Sequence, residues 1–402
     1  MMEGDELFGR IAGTPCDPVS GKGCAGDRVE VDRPVEGGTV YVPRTMTLDG
    51  RYPGSLASAV EFDRLRLCHD FEFWAVTCCN IRDKKTGAII PFRLNDPQRY
   101  VVEMFEEDRT AGRPLRFIML KARQWGGSTL VQMYMAWIQC TQRCNWNSLI
   151  CAHVKDTSAI IRGMYSDMLA CYPRQLWMGE EGSEPAFRGF ERSINVREIS
   201  GRGCRVTVGS SENHEAVRGG NYAMAHLSEV AFWADTAQRT PRQLVRAVCG
   251  SIDISPLTLI VMESTANGVG NYFHSEWLRA CAGTSDKRPL FIPWYYISAY
   301  STPVDDPGAL LDSLDDYERG LMENFGCSIE QVNWYHLRRR EYPDHAMMQA
   351  EYPTTAVEAF THSGHQVFSR EHIERLRSKC VDPVVKGDMT GPGGTAPAAW
   401  RL

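Results

Sequence analysis

Apolar and polar residues follow two patterns along this chain: short apolar runs typical of buried strands, and longer stretches with the spacing of helices. Downstream of Thr129 the two patterns alternate. Strands are predicted at 148–153, 204–210, 222–228, 257–264 and 290–294, and helices at 157–169 and 241–249. Such alternation favours an α/β fold in which helices cover both faces of a mainly parallel sheet.

The segment RFIMLKARQWGGSTL, residues 116–130, indicates a phosphate-binding loop. A strand that delivers a glycine-rich turn to a helix N-terminus directs backbone N–H groups and the helix dipole at a phosphate. The segment departs from the pattern GxxxxGK[ST], in which Gly126 and Ser128 occupy the sixth and eighth positions. Gly127 replaces the lysine, and Lys121 replaces the first glycine. Taken alone, the loop is equally compatible with an ordinary structural turn.

Two further predicted strands end in polar groups. The run YAMAHLSEVAFW, residues 222–233, carries Glu229 at the end of an apolar stretch. The run LTLIVMESTANGVG, residues 257–270, opens into Ser264, Thr265 and Asn267. A phosphate loop, a strand-end acid and a strand-end polar cluster, in that order, are the groups with which an ATPase holds phosphate, activates water and senses hydrolysis.

The rest of the chain is organised around this central region. Residues 1–55 are rich in glycine, proline and charge, so we expect a loosely ordered or peripheral segment. A helical lead-in, a β-like pair near Thr86 and a helix start at Asn95 follow. A pair of helices is predicted at residues 312–325 and 328–340, and an extended arm at EYPTTAVEAF. The tail after Lys386 is rich in glycine and proline and is predicted to be disordered.

Composition limits the class of protein. The chain has 402 residues, 43% of them hydrophobic and 23% charged, as in a globular protein. No membrane span is expected, because the longest apolar runs are far shorter than the roughly 20 residues that a spanning helix needs. The acidic N-terminus lacks the order of a secretion signal. The 14 cysteines form no CxxC pairs, which favours reduced thiols over a zinc site.

The net charge of −6 means that only a local basic surface could bind DNA. Two clusters qualify. One is formed by Arg338, Arg339 and Arg340, and the other by Arg242 and Arg246 on a predicted helix. For each cluster taken singly, a solvated helix face is at least as good an interpretation.

The motifs and their flanking residues together resemble the ATPase domain of phage and prophage large terminase subunits, motors that pack DNA into empty capsids. The similarity extends over residues 60–375. It includes IRDKKTGAIIPFRLNDPQ, KARQWGGST, AVRGGNYAMAHLSEVAFW, ESTANG and EYPTTAVEAFTHSGHQVF. The resemblance implies a P-loop NTPase fold of the ASCE type, with ATP and Mg²⁺ as cofactors.

The resemblance also implies roles for residues at the loop. Gln98 would read adenine, although the residue by itself suggests a surface glutamine at a helix start. Lys121 would be the phosphate ligand, and Arg123 its companion. Gly126 and Gly127 would form the cradle. Either Ser128 or Thr129 would supply the hydroxyl ligand of Mg²⁺.

At the second motif, such motors usually pair an aspartate with a glutamate. Ser228 occupies the first of these positions, so Glu229 is expected to be the only strand-end carboxylate and the general base. The resemblance makes Arg218 a candidate arginine finger that completes a neighbouring subunit's site in a ring. Ser264, Thr265 and Asn267 would couple loss of the γ-phosphate to movement.

The resemblance further predicts an organisation and a set of partners. We expect an N-terminal segment at 1–55, a terminase-type ATPase domain at 56–365, and a linker or the start of a missing nuclease domain at 366–402. No nuclease activity is expected. The expected partners are double-stranded DNA, a portal protein, a small terminase subunit and further copies of the chain in a ring. The expected location is the bacterial cytoplasm, at the procapsid portal.

Two alternatives remain open from the sequence. One is a helicase-like ATPase of the same broad fold. The other is a nucleotide-binding or assembly module that has lost catalysis, which Gly127 and Ser228 support.

Overall fold

The computed structural model describes residues 2–34, 38–48, 56, 58–83, 86–153, 157–191, 193–212, 220–236, 240–361, 379, 388–390 and 399–401. The chain divides into two compact units, residues 1–362 and 363–402. In the second unit the described strands are β13 (Asp388–Thr390) and β14 (Ala399–Arg401), which pair antiparallel. Most of the predicted linker and tail lies outside the described residues, so those expectations stay predictions.

The first unit is built around an eight-stranded sheet. Its strands are β5 (Leu115–Lys121), β6 (Asn147–Ala152), β7 (Phe187–Phe190), β8 (Ser193–Ile199), β9 (Cys204–Ser210), β10 (Met224–Ser228), β11 (Leu259–Ser264) and β12 (Arg288–Ile292). Across the sheet they lie in the order β12, β5, β11, β10, β6, β9, β8, β7. The first six are parallel, and β8 runs antiparallel to both of its neighbours.

This strand order places β11 between the strand that leads into the glycine-rich turn and the strand that ends before Glu229. It is the order of the ASCE class of P-loop NTPases, so the predicted fold class is confirmed. All seven residues of β5 are buried, as expected for a parallel strand covered on both faces. Phe117 and Met119 face one apolar core, and Ile118 and Leu120 face another.

Helices cover the sheet and form the lead-in. They are α1 (Met2–Ala12), α2 (Arg44–Leu48), α3 (Ala59–His69), α4 (Phe71–Cys78), α5 (Asp96–Thr110), α6 (Gly127–Trp137), α7 (Thr157–Ala170), α8 (Pro241–Cys249), α9 (Tyr272–Cys281), α10 (Pro307–Ser313), α11 (Asp316–Phe325), α12 (Ile329–Arg339), α13 (His345–Glu351) and α14 (Ala356–Ala359). The predicted pair near Thr86 is the antiparallel ribbon of β3 (Asn80–Arg82) and β4 (Ile89–Pro91). No helix in the described part of the chain has the length and apolar character to cross a membrane.

The N-terminal segment is more ordered than its composition suggests. Its described residues form α1, α2 and a hairpin of β1 (Arg28–Asp32) and β2 (Thr39–Pro43). Val42 and Met46 are fully buried, and Arg28 donates two hydrogen bonds of 2.9 Å to the buried carboxylate of Asp70. A few scattered apolar residues and a buried ion pair hold this segment, and such contacts leave no periodic pattern in the sequence.

Two other sequence expectations require correction. The segment EYPTTAVEAF is not an extended arm: it contains α14, which Thr355 caps by accepting a hydrogen bond from the N–H of Glu358. The antiparallel strands β7 and β8 were not predicted. They lie at the edge of the sheet and are only partly buried, so they lack the continuous apolar run that marks a central strand.

Candidate nucleotide site

The glycine-rich turn has the strand–turn–helix geometry that the sequence predicts for a phosphate-binding loop. It connects the carboxyl end of β5 to α6, and Gln124 and Gly126 have φ angles of +57° and +85°. Gly126 is the N-cap of α6 and supplies no side-chain cap. Because the first N–H groups of a helix have no partner within it, this N-terminus can bind an anion.

Close contacts explain why the turn carries two glycines. A Cβ atom on Gly127 would lie 2.3 Å from the indole ring of Trp125, which is buried. A Cβ atom on Gly126 would lie 2.6 Å from Nε2 of Gln98, in addition to the positive φ there. The lysine of a standard loop therefore has no room at position 127 while Trp125 keeps this orientation.

The N-terminus of α5 holds the turn from the side. Asn95 caps the helix and donates a 3.0 Å hydrogen bond from Nδ2 to the carbonyl oxygen of Trp125. Gln98 donates from Nε2 to the carbonyl oxygen of Gly126 at 3.0 Å, and its Oε1 accepts the N–H of Asn95 at 3.0 Å. Gln98 is thus buried rather than a surface residue. Its adenine-reading role stays a prediction.

Lys121 lies between two carboxylates. Its Nζ is 2.7 Å from Oε1 of Glu229 and 3.0 Å from Oε2 of Glu263. Burial opposes the charged ammonium, but the two carboxylates outweigh it and raise the pKa of Lys121 above its usual range. Arg123 does not share this position, because its guanidinium binds both carboxylate oxygens of Glu351, at 2.9 and 3.0 Å.

Glu229 follows β10 in a left-handed conformation, with φ of +55° and ψ of +45°. Such a backbone is unusual for a residue with a side chain, and strain of this kind is concentrated at functional sites. Oε2 of Glu229 accepts the hydroxyl of Ser264 and the N–H of Thr265, both at 3.2 Å. The predicted base therefore contacts the predicted coupling residues directly.

The predicted coupling segment is also tied to the residues after Glu229. Ser264 accepts the N–H of Ala231 at 3.2 Å, and Asn267 donates from Nδ2 to the carbonyl oxygen of Ala231 at 3.1 Å. The ends of β10 and β11 are therefore joined by three side chains. These bonds connect the two strand ends directly.

The expectation that Glu229 is the only strand-end carboxylate is wrong, because Glu263 lies near the end of β11. Glu263 is the fifth residue of the six-residue strand β11 and is fully buried. Burial opposes its charge, but Lys121, the neighbouring imidazole and a hydroxyl lower the pKa of Glu263 below its usual range. The available signal in the sequence was a glutamate inside the apolar run LIVMES.

Two serine hydroxyls converge on Glu263. Ser128, from the glycine-rich turn, donates to Oε1 at 2.8 Å, and Ser228 donates to the same oxygen at 2.7 Å. Ser128 and Thr129 were the two predicted sources of a hydroxyl ligand for Mg²⁺, and the hydroxyl of Ser128 contacts the carboxylate of Glu263. His226, which the sequence analysis also missed, is fully buried, with Nε2 3.3 Å from Oε1 of Glu263.

The predicted basic residues have different surroundings. Arg218 lies outside the described residues, so its role as an arginine finger stays a prediction. Arg338 pairs with Glu341, Arg339 with Asp315, and Arg340 contacts His336. Arg242 and Arg246 are exposed on α8 and line one groove with Arg279 and Lys287. In this groove Arg279 pairs with Glu276, and Lys287 pairs with Asp286.

One group of thiols was not anticipated. The sulfur atoms of Cys16 and Cys24 are 2.9 Å apart, and Cys16 lies 3.3 Å from the carboxylate of Glu72. These three side chains have the types and proximity of metal ligands. They lie in the N-terminal segment and α4, and contribute none of the contacts described for the nucleotide site.

Comparison with known proteins gives structural matches only. No protein-family model matches the chain, and no curated protein matches it. The chain is similar to the crystal structure of the HK97 bacteriophage large terminase, with 15% identity, a TM-score of 0.48, and coverage of 70% of this chain and 53% of that one. It is also similar to the ATPase domain of the Thermus phage P74-26 large terminase, with 15% identity, a TM-score of 0.37, and coverage of 59% and 86%.

Both matches are to large terminases, the family that the sequence resemblance named. This chain spans about half the length of the HK97 protein. At these identities and TM-scores the similarity carries no activity over to this chain.

Proposed function

We propose that this chain is the ATP-hydrolysing subunit of a DNA-packaging motor, a large terminase ATPase that moves double-stranded viral DNA into a capsid. The observation that carries the proposal is the convergence of Lys121, Ser128 and Glu229 beside a glycine-rich turn, at the carboxyl end of an ASCE-ordered sheet. The proposal that the motor packages DNA rests on the resemblance of the sequence motifs to those of large terminases.

The geometry supports a division of labour at the site. The N-terminus of α6 and the glycines of the turn would bind the phosphates of ATP, with Lys121 nearby as the buried cation. Mg²⁺, when bound, would neutralise charge on the β- and γ-phosphates. The carboxylate of Glu229 is one-third exposed and would accept a proton from the attacking water.

Hydrogen bonds between Glu229 and the end of β11 support a coupling of ATP hydrolysis to movement. Ser264 and Thr265 bind the carboxylate of Glu229, and Asn267 binds the residue two positions after it. Loss of the γ-phosphate would alter the position of Glu229 and so move the segment after β11. In the assembled motor, Arg218 would complete the site of a neighbouring subunit in a ring.

The groove on α8 is our candidate DNA surface. Arg242 and Arg246 are exposed there, whereas the cluster at residues 338–340 is engaged with acidic groups and a histidine. Cationic side chains on one face bind the DNA backbone without regard to sequence. A portal protein and a small terminase subunit would be the remaining partners.

The test is ATP turnover by the purified chain with Mg²⁺, with and without long duplex DNA. We expect duplex DNA to stimulate turnover, and the double variant Arg242→Ala/Arg246→Ala to lose the stimulation while keeping basal turnover. Arg174→Ala is the matched control, since Arg174 is an exposed arginine that pairs with Glu184 on another surface. Stimulation that survives in the double variant would contradict this DNA surface.

Substrate choice separates the motor from a helicase-like ATPase. A packaging motor should respond to fully paired duplex, whereas a helicase should require forked or single-stranded ends. Nucleotide binding without any turnover, with or without DNA, would instead support a module that has lost catalysis.

A further inference from the structure

The carboxylate of Glu263 occupies a central place in the site. In the sheet register, Glu263 lies opposite Ser228 on one side and Met119 on the other. Its strand, β11, separates the strand that leads into the glycine-rich turn from the strand that ends before Glu229. A side chain from this position can reach both the turn and the end of β10.

The two oxygens of this carboxylate have different partners. Oε2 pairs with the ammonium of Lys121 at 3.0 Å. Oε1 accepts the hydroxyls of Ser128 and Ser228, at 2.8 and 2.7 Å. In phosphate-binding loops the serine or threonine at the position of Ser128 is the hydroxyl ligand of Mg²⁺. Oε1 of Glu263 is therefore within hydrogen-bond distance of the expected metal ligand.

The charges at the site favour a divalent cation. Glu229 and Glu263 bring two carboxylates, and Lys121 brings one ammonium. The imidazole of His226, whose Nε2 lies 3.3 Å from Oε1 of Glu263, adds positive charge only when protonated. Carboxylate and hydroxyl oxygens are the hard donors that Mg²⁺ prefers. The carboxylate and hydroxyl oxygens around Ser128 therefore fit Mg²⁺, the metal ion that a P-loop NTPase fold implies.

We propose that Glu263 is the carboxylate that holds Mg²⁺ in this site, in place of the aspartate that Ser228 replaces. The ligand is supplied from β11 instead of β10, and the longer glutamate side chain reaches the hydroxyl of Ser128. The proposal rests on the proposed ATP hydrolysis and adds a metal ligand to it. Absence of the usual aspartate then does not imply loss of metal-dependent catalysis.

A purely structural role for Glu263 makes a different prediction. If the carboxylate serves only to neutralise Lys121, its replacement would lower stability but leave the metal dependence of nucleotide binding unchanged. Calorimetric binding of a non-hydrolysable ATP analogue, measured once with Mg²⁺ and once with EDTA, distinguishes these roles without relying on turnover. Binding of Mn²⁺ in the presence of the analogue, followed by electron paramagnetic resonance, gives a second readout.

We expect Mg²⁺ to strengthen analogue binding in the wild type, and this strengthening to fall at least tenfold in Glu263→Gln, within the range found for groups that support metal ligands. Glu318→Gln is the matched control, because Glu318 is another buried carboxylate, paired with His336 away from the site. It should bind Mn²⁺ and the analogue as the wild type does.

A relocation variant tests the assignment most strictly. Ser228→Asp introduced into Glu263→Gln returns a carboxylate to the usual position and should restore the Mg²⁺ dependence, because Ser228 Oγ is within 2.7 Å of the present carboxylate. An unchanged Mg²⁺ effect and unchanged Mn²⁺ binding in folded Glu263→Gln would overturn the proposal while leaving the ATPase intact. A wild type that binds no analogue under either condition would overturn the proposed function as well.

Discussion

The indole ring of Trp125 lies so close to Gly127 that a Cβ atom there would approach it to 2.3 Å. The missing lysine of the loop is therefore excluded by packing. We expect Gly127→Ala to lower the free energy of unfolding by about 1–3 kcal/mol, the usual effect of overpacking a buried site. Thermal or denaturant unfolding measures the change.

Two variants control for the general effect of adding a methyl group to a helix. At Gly163, in α7, no atom lies within 4 Å of where a Cβ atom would be, so Gly163→Ala should be neutral or stabilising. Introduced into Trp125→Ala, where the ring is absent, Gly127→Ala should cost less than it does in the wild type. If Gly127→Ala were as stable as Gly163→Ala, the packing explanation for the absent lysine would be wrong.

Gln98→Glu tests how the turn is held. The substitution keeps an oxygen that can accept the N–H of Asn95 but removes the donor to the carbonyl oxygen of Gly126. We expect the affinities for both ATP and GTP to fall, because the turn that binds the phosphates loses its support. A larger fall for ATP than for GTP would support the adenine-reading role of Gln98, and unchanged affinity for both nucleotides would contradict its support of the turn.

The pairing of Lys121 with Glu263 should appear as energetic coupling. Lys121→Met leaves two carboxylates without their cation, and removing one partner of a buried pair typically costs about 3–5 kcal/mol. Lys121→Met/Glu263→Gln should be more stable than the sum of the single effects predicts, by about 0.5–3 kcal/mol. Chemical denaturation of the four proteins gives the cycle, and strict additivity would rule out the pairing.

The pH dependence of stability provides an independent check on Glu263. Its pKa is lowered in the folded chain from an ordinary value of 4.5, so the group binds protons more readily when unfolded. Its contribution is therefore complete above that value and is lost as pH falls below it. Between about pH 6 and about pH 3, wild-type stability should fall more steeply than that of Glu263→Gln. Parallel curves would contradict the lowered pKa.

Much of the sheet was predictable because its central strands are buried on both faces. The apolar runs at 204–210 and 257–264 coincide with β9 and β11 to within two residues. The glycine-rich turn and Glu229 were found for a similar reason, since both interrupt an apolar run where a parallel strand ends. The edge strand β7 and its neighbour β8 carry no such signal, because they are only partly buried.

The contacts of Glu263 with Ser128 and Ser228 were harder to predict, because the three residues come from distant parts of the chain. Glu263 reaches Ser128 across 135 positions and Ser228 across 35, and only the strand order brings the three together. The contact of the Trp125 ring with Gly127 was unpredictable for a related reason. The pattern showed a glycine where a lysine was expected, but the ring that fills the space is evident only in three dimensions.

The most direct test of the account compares ATP binding and ATP turnover in the wild type and Glu229→Gln, with Mg²⁺ present. We predict that Glu229→Gln binds ATP with near wild-type affinity but turns it over at least 100-fold more slowly, as expected when a general base is removed. Turnover in Glu229→Gln equal to that of the wild type would contradict the assignment of Glu229 as the base, and with it the proposed site of hydrolysis.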